Sequence, residues 1–302
     1  MALIIAEGFE ALRNSGQSPF DNGAIGSNTS STTPFGYGFA WQSLGSQTYD
    51  SNIGSNQDTI IQGMYTRQVN TINGFTILDG ATIQVHLDCA DPDDGTGDVR
   101  VYRGSGTTNL LGTASAVIPP SGGQYFHIGW KVKIHNTLGT IDVYVDGVLV
   151  LALTGLDTQA SANAFATAVR VNNNQNNLVD DYFAFDGSGS TNNDWPGTCR
   201  IYTGFPTSDD GTFNDFTPSS GTDNFAMVDE QQAHDSDSTY NHSSTAGHKD
   251  LFGTNLSVPG GSTVLAMESR GVIRKDDVGA RTGRHVNKSG STTTNAPTLT
   301  LT

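Results

Sequence analysis

The sequence predicts an all-β protein, a two-sheet jelly-roll sandwich followed by a smaller β domain. Three observations carry the prediction. Turn formers are abundant, with 36 glycines and many Asn, Ser, Thr and Asp between short apolar runs. Only four glutamates occur, Glu7, Glu10, Glu230 and Glu268, so nearly all the acid is aspartate, which favours caps and loops over helix interiors. Residues 124–153 alternate apolar and polar side chains with the period of a half-buried strand.

The elements follow in order. Leu3 to Ile5 reads as a short strand before a loop ending in NTSSTTP. Strands are read around FGYGFAWQSL and GFTIL, with the apolar run DTIIQGMY between them. TIQVHLDCA (82–90) alternates well, and DVRVYRG (98–104) follows the turn DPDDGTGD. In QYFHIGWKVKIHN, Phe126, Ile128, Trp130, Val132 and Ile134 share one face, and His127, Lys131, Lys133 and His135 share the other. GTIDVYVDGVLVLALTG reads as a hairpin of strands 140–145 and 148–153 about Asp146-Gly147, because both positions of such a turn need positive φ. NAFATAVRVNNN and LVDDYFAFDG supply two more strands. Up to residue 186 the count is roughly a dozen, enough for a two-sheet jelly roll.

The strand VDDYFAFDG then runs into GSGSTNND and WPG. Such a polar run carries no core and reads as a domain exit. The predicted domains are 1–190 and 191–302, with an exposed link at 187–197. In the second domain, TDNFAMVDEQQAHDSDSTYNHSSTAGHKD is the place for a short helix or ordered loop. STVLAMESRGVIRKDDVGARTGRHVNKSG reads as a hairpin turning at DDVG, and NAPTLTLT as a strand.

A net charge of −15 repels nucleic acid and anionic membranes, and neither is an expected partner. No apolar run approaches the ~20 residues of a membrane helix. The opening MALIIAEGFE has no basic stretch and no long apolar core, so no signal peptide is expected and synthesis is placed in a cytoplasm. Cys89 and Cys199 are too few for a disulfide framework and lack metal-site spacing. Reduced thiols are the favoured reading, with a disulfide left open.

From residue 98 to about 290 the motifs resemble a family. IGWKVKIHNTLGTIDVYVDGVLVLALTGLDTQ is similar to the late strands of laminin G-like, concanavalin-like jelly rolls in tailed-bacteriophage virion proteins. VDDYFAFDGSGSTNNDWPG, CRIYTGFPTSDDGTFNDFTPSSGTDNFAMVDE, STYNHSSTAGHKDLF and SRGVIRKDDVGAR continue the likeness. The resemblance implies a concanavalin-like first domain and a non-enzymatic structural protein of the virion, made in the cytoplasm of a bacterial host. Tail or fibre and capsid decoration are both open positions. A free carbohydrate-binding module is a further alternative. The implied partners are other virion proteins, copies of the chain itself and a host surface glycan.

Candidate sites follow from the residues. Glycoside hydrolysis needs two carboxylates ~5–9.5 Å apart. No E-x-D-x-E pattern occurs, and the adjacent Asp180 and Asp181 would face opposite sides of a strand, so no enzyme is expected. Trp195, in a Gly/Pro turn, is the expected exposed aromatic and the candidate glycan platform, whereas Trp130 belongs to the core pattern. No cofactor is required. Calcium is the one candidate, at Asp88, Asp91, Asp93, Asp94 and Asp98, against a plain Asp-rich turn capping backbone N–H groups. His234, His242 and His248 lack zinc spacing and read as loop residues. Six of the fifteen basic residues fall between 270 and 288. Of these, Arg270, Arg274, Lys275, Arg281 and Arg284 are the predicted protein–protein contact, against the plainer reading of a solvated face.

Overall fold

Strands dominate the computed structural model, which describes residues 3–9, 27–30, 34, 40–43, 46–67, 72–89, 97–119, 124–173, 177–187, 193–230 and 238–301. The chain divides into two compact units, Met1–Ile201 and Tyr202–Thr302.

The first unit holds fourteen strands among its described residues: β1 (Leu3–Glu7), β2 (Ser27–Ser30), β3 (Ala40–Ser43), β4 (Gln47–Gln57), β5 (Thr59–Arg67), β6 (Ile72–Asp79), β7 (Thr82–Cys89), β8 (Val99–Arg103), β9 (Leu110–Ala114), β10 (Tyr125–Lys133), β11 (Gly139–Val145), β12 (Val148–Leu156), β13 (Ala166–Asn173) and β14 (Leu178–Asp186). They form two antiparallel sheets. The larger runs β12-β11-β10-β5-β14-β3-β2, with β1 also on β14, and the smaller runs β4-β13-β6-β7-β8-β9. The chain changes sheet from β3 to β4, β4 to β5, β5 to β6, β9 to β10, β12 to β13 and β13 to β14, wrapping one layer over the other. This is the predicted all-β jelly-roll sandwich, with the layers back to back.

The alternation of residues 124–134 explains the core. Phe126, Ile128, Trp130, Val132 and Ile134 all point inward and are buried. They meet Phe75, Ile77, Val85, Leu87, Val99, Val101, Val169 and Val171 of the smaller sheet. Phe75 stacks against both Trp130 and Tyr182, with ring centroids 5.9 and 6.4 Å apart. One polar group enters this layer with all of its bonds made. The Gln62 amide accepts from Trp130 Nε1 at 3.0 Å and donates to the Tyr182 hydroxyl at 2.9 Å. The Asp146-Gly147 hairpin forms as predicted, with φ of 47° and 79°. The Asp146 carboxylate also accepts from His127 N–H at 2.8 Å, tying the turn to the neighbouring strand.

β14 is buried along its whole length. It sits between β5 and the pair β1 and β3, which share its other edge. Its pairing with β5 slips between Asp180 and Phe183, and Asp181 has φ of 50°. The predicted alternation of Asp180 and Asp181 is therefore broken by a bulge. Both side chains are buried.

The second unit has strands β15 (Pro206–Asn214), β16 (Thr217–Pro218), β17 (Asn241–His242), β18 (Asp250–Thr254), β19 (Arg281–Gly283), β20 (Val286–Ser289), β21 (Thr292–Asn295) and β22 (Leu299–Leu301). Among the described residues they pair only as two-stranded ribbons, β15-β18, β16-β17, β19-β22 and β20-β21. Side-chain bonds to the backbone hold the first half together. Asp209 accepts from the N–H groups of Asn224 and Phe225 at 3.0 and 2.7 Å. Asp250 accepts from Phe216 N–H and the Asn224 amide, both at 2.9 Å. The expected short helix is a single 3-10 turn, Phe225–Met227. The hairpin predicted at DDVG is not formed. No strand lies between Thr254 and Arg281; β19 pairs with the C-terminal β22, and the hairpin is β20-β21, turning at Gly290.

Candidate functional site

Part of the outer face of the larger sheet is covered by the segment around Trp195. Gly63 of β5 and Gly129 of β10 are directly paired, leaving two adjacent strands without side chains at that point. A Cβ at Gly129 would overlap the Trp195 ring, and one at Gly63 would overlap Phe183. Residues 193–201 lie in this shallow seat, which is why the first unit extends past the predicted boundary at 190.

Trp195 anchors the segment. Its ring is parallel to that of Tyr144, with centroids 4.6 Å apart and planes 5° apart. His127 and Phe183 lie beside it at 5.7 and 6.1 Å. Cys199 and Ile201 pack with Trp195 against Ile61, Phe183 and Phe185. Trp195 is thus half-buried rather than free-standing, a correction to the expectation of an exposed aromatic. His127, on the face opposite the inward row of β10, is fully buried. Among the described residues, neither ring nitrogen of His127, nor Nε1 of Trp195, has a hydrogen-bond partner. Burial lowers the imidazole to about 4, so the ring is neutral near pH 7.

Polar groups surround the aromatic pair. Asp194 Oδ1 accepts from Lys131 Nζ and from Trp195 N–H, each at 2.9 Å. Lys131, assisted by that N–H, holds Asp194 below the ordinary carboxylate range. Asp142 of β11 is paired directly with Lys131 of β10. Partial burial raises its carboxyl, against the pull of Lys131. At the other end, Asp181 accepts from Ile201 N–H at 2.8 Å, and burial pushes its carboxyl up to about 7. Burial likewise pushes the Cys199 thiol up to about 12. Cys89 and Cys199 are both free thiols. The site therefore offers a stacked, partly exposed Trp–Tyr pair with a lysine and two aspartates at its rim. Trp195 was legible in the sequence; Tyr144, Lys131, Asp142 and Asp194 were not singled out.

The outer face of the smaller sheet is polar but internally paired. Arg170 makes a two-pronged bond to Asp50 at 2.6 and 2.8 Å. His86 stacks on Tyr102, with centroids 5.1 Å apart, and its Nδ1 is 2.8 Å from the Gly104 carbonyl oxygen.

The calcium candidate does not assemble from the residues that can be placed. Asp91, Asp93 and Asp94 lie outside the described residues. Asp98 spends both oxygens within the chain, on Arg100 at 3.0 Å and Ala116 N–H at 3.1 Å. Asp88 faces His86 at 3.7 Å. No group of three or more metal-ligating side chains occurs among the described residues. His242 is not a loop residue but pairs with Thr217 in the β16-β17 ribbon, whereas His248 lies in a loop; His234 lies outside the described residues. Arg270 pairs with Glu268 at 2.7 Å, Arg281 pairs with Asp277, and Lys275 donates to the Gly279 carbonyl. Arg284 is exposed. No helix among the described residues is long and apolar enough to cross a membrane.

No protein-family model and no curated protein matches the chain. Solved structures similar to it include domain 4 of an extracellular arabinanase from Geobacillus stearothermophilus in complex with arabinotriose (14% identity, 63% of this chain and 95% of that one, TM-score 0.37). A carbohydrate-binding module from Bacillus subtilis matches at 12% identity over 52% of this chain and 91% of that one, TM-score 0.34. A tetrameric galectin from the ball sponge Cinachyrella matches at 10% identity over 46% and 99%, TM-score 0.34. An alginate lyase matches at 15% identity over 48% and 79%, TM-score 0.35. Nothing about a site transfers at such scores; the strand order itself defines the fold.

Proposed function

We propose that this chain is a non-enzymatic binding and assembly protein, whose first unit holds a glycan on the Trp195–Tyr144 face and whose second unit attaches to other proteins. The carrying observation is the parallel Trp195–Tyr144 pair rimmed by Lys131, Asp142 and Asp194. Aromatic faces suit the apolar faces of sugar rings, and fixed charged groups suit their hydroxyls. Asp194 is tied up by Lys131 and a backbone N–H, which suits an orienting rim better than a reacting acid. On the resemblance of residues 98–290, the setting is the surface of a tailed-phage particle, in the tail or fibre or as capsid decoration, together with copies of itself. A free carbohydrate-binding module would keep the sugar binding and lack the attachment.

Titration against a panel of bacterial surface polysaccharides tests the reading. Binding by the unaltered chain should fall at least about tenfold in Trp195→Ala and in Tyr144→Ala, the loss of roughly one well-placed aromatic contact. Binding unchanged in both variants, or no binding across the panel, would sink the glycan half. Release of reducing ends that Asp142→Asn or Asp194→Asn abolishes would sink the non-enzymatic half. Mass spectrometry of purified particles tests the setting, and absence of the chain from them leaves the free module.

A further inference from the structure

We infer that the Trp195–Tyr144 face takes a glycan bearing a free amine, with Asp142 as the group that receives the ammonium. The inference rests on the glycan reading above and narrows it to cationic amino sugars.

Strand register places the parts. Gly129, Tyr144 and Leu149 form one row across β10, β11 and β12, and Lys131, Asp142 and Ala152 form the next. Asp142 and Tyr144 alternate with buried Val143, so both side chains rise from the same outer face. Lys131 flanks Asp142 on one side, but its Nζ is given to Asp194 at 2.9 Å. Ala152 stands on the other side, and its methyl fills little of the space there. The Asp142 carboxylate makes no hydrogen bond among the described residues, and its charged neighbours are Lys131 and Asp194. A half-buried carboxylate in that position is best satisfied by a charged donor, because a hydrogen bond between ionised groups is the stronger kind.

Charge selects among sugars. Two aspartates and one lysine border the aromatic pair, and Lys131 and Asp194 offset each other, leaving one carboxylate over. Tyr144 registers the same field: burial first, then Asp142 and Asp194, hold its hydroxyl above the ordinary range. The surroundings have the same sign, with eighteen acids and eight bases in residues 1–201. A uronate or a phosphorylated sugar would set its own negative charge against this excess. A neutral sugar would leave Asp142 without a charged donor. An amino sugar meets every part of the site. Its C–H face suits the aromatic surface and the half-exposed Leu149, and its ammonium suits both Asp142 and the ring faces, which attract cations.

Calorimetric titration of the full chain with tetramers of glucosamine, N-acetylglucosamine and galacturonate, and with tetralysine, tests this in a buffer that keeps the amines charged. The glucosamine tetramer should bind at least about tenfold more tightly than its N-acetylated counterpart, and galacturonate should bind most weakly. Asp142→Asn should bring the glucosamine and N-acetylglucosamine affinities together, and retained binding of the neutral tetramer shows that the variant is folded. Asp50→Asn removes one charge from the outer face of the other sheet and should keep the two affinities apart. Equal affinity of the unaltered chain for the two tetramers overturns the inference. So does a preference that survives Asp142→Asn or that Asp50→Asn also removes, since the charge of the whole chain is then being read. Tetralysine binding as tightly as the glucosamine tetramer overturns it as well, in favour of a basic peptide. The glycan reading fails by a different result, an affinity for every sugar that Trp195→Ala and Tyr144→Ala leave unchanged.

Discussion

The first unit keeps thirty-six hydrophobic residues below the surface, from Ile5 to Phe185, while the second keeps Met227 alone among its described residues. The first stacks two sheets so that each strand's inward side chains meet a second layer. The second pairs strands two at a time, so no ribbon has a layer to bury against. What stands in for the core is aspartate: Asp209 and Asp250 collect backbone N–H groups that would otherwise be left open. The contrast teaches that one composition, rich in turn formers, supports two kinds of cohesion. Apolar area stabilises one unit, and polar caps hold the loops and ribbons of the other.

The contrast breaks most sharply at Trp130. Trp130→Ala should cost the first unit about 3–5 kcal/mol in chemical denaturation, since a large buried ring is lost without collapse of its site. The second unit's hydrogen exchange should be unchanged. A matching loss of protection in both units would mean that they share one cooperative core. Gly129→Ala tests the seat beneath Trp195. The added methyl overlaps the indole, so either the ring lifts or β10 shifts, at about 1–3 kcal/mol. Increased protease cutting at 193–201 is the expected readout, and an unchanged rate would mean that the ring does not rest there.

Acidity separates two buried groups that oppose each other. Asp181 is raised to about 7 from 3.8, so it binds more protons folded than unfolded, and its contribution to stability declines as pH rises between those values. His127 is lowered to about 4 from 6.5, so its contribution is lost as pH falls through that window. Between about pH 4 and 6.5 the two largely cancel. Asp181→Asn should unmask the histidine, with stability falling on acidification by up to about 1.4 kcal/mol per pH unit. His127→Phe should unmask the aspartate, with the opposite slope. Parallel pH profiles for both variants would show that neither group is perturbed by burial. The smallest effect belongs to the second unit. Asp250→Ala removes acceptors from Phe216 and Asn224 at a half-exposed site and should cost about 1 kcal/mol, read as faster exchange of the Phe216 amide. A larger loss there than at Trp130 in the first unit would reverse the comparison.

Much of the sandwich was legible. The inward row from Phe126 to Ile134, the Asp146-Gly147 hairpin and the strand ending at Asp186 follow from period-two patterning and turn chemistry, both local in sequence. The burial of His127 was not legible, because its cover comes from Trp195, sixty-eight positions later in the chain. Nothing near residue 127 encodes that cover except Gly129, which reads as an ordinary strand glycine until its neighbour Gly63 is placed beside it. The bulge at Asp181 was equally hidden, since aspartate tolerates positive φ without announcing it. In the second unit, residues 262–290 read as a hairpin because patterning records which side chains suit a strand, not which segment provides the pairing: β19 pairs with β22 and β20 with β21. The same limit applied to the basic cluster: spacing located it, and only the structure separated Arg270 and Arg281, each beside an acid of its own chain, from the exposed Arg284.

Gln62 has a further consequence for how the sheet finds its alignment. Its amide sits on β5 and reads one group on each neighbouring strand, Trp130 on β10 and Tyr182 on β14. A slip of β5 by one residue would present Ile61 or Gly63 to those groups and strand an indole N–H and a phenol in an apolar layer, at about 1–3 kcal/mol apiece. A slip by two would offer Ile60 or Met64, with the same outcome. Hydrophobic residues on either side of Gln62 would tolerate several offsets, since one aliphatic side chain packs much like another. The single amide does not, so it acts as a key with one keyhole, and misaligned sheets are penalised before the rest of the sandwich closes over them.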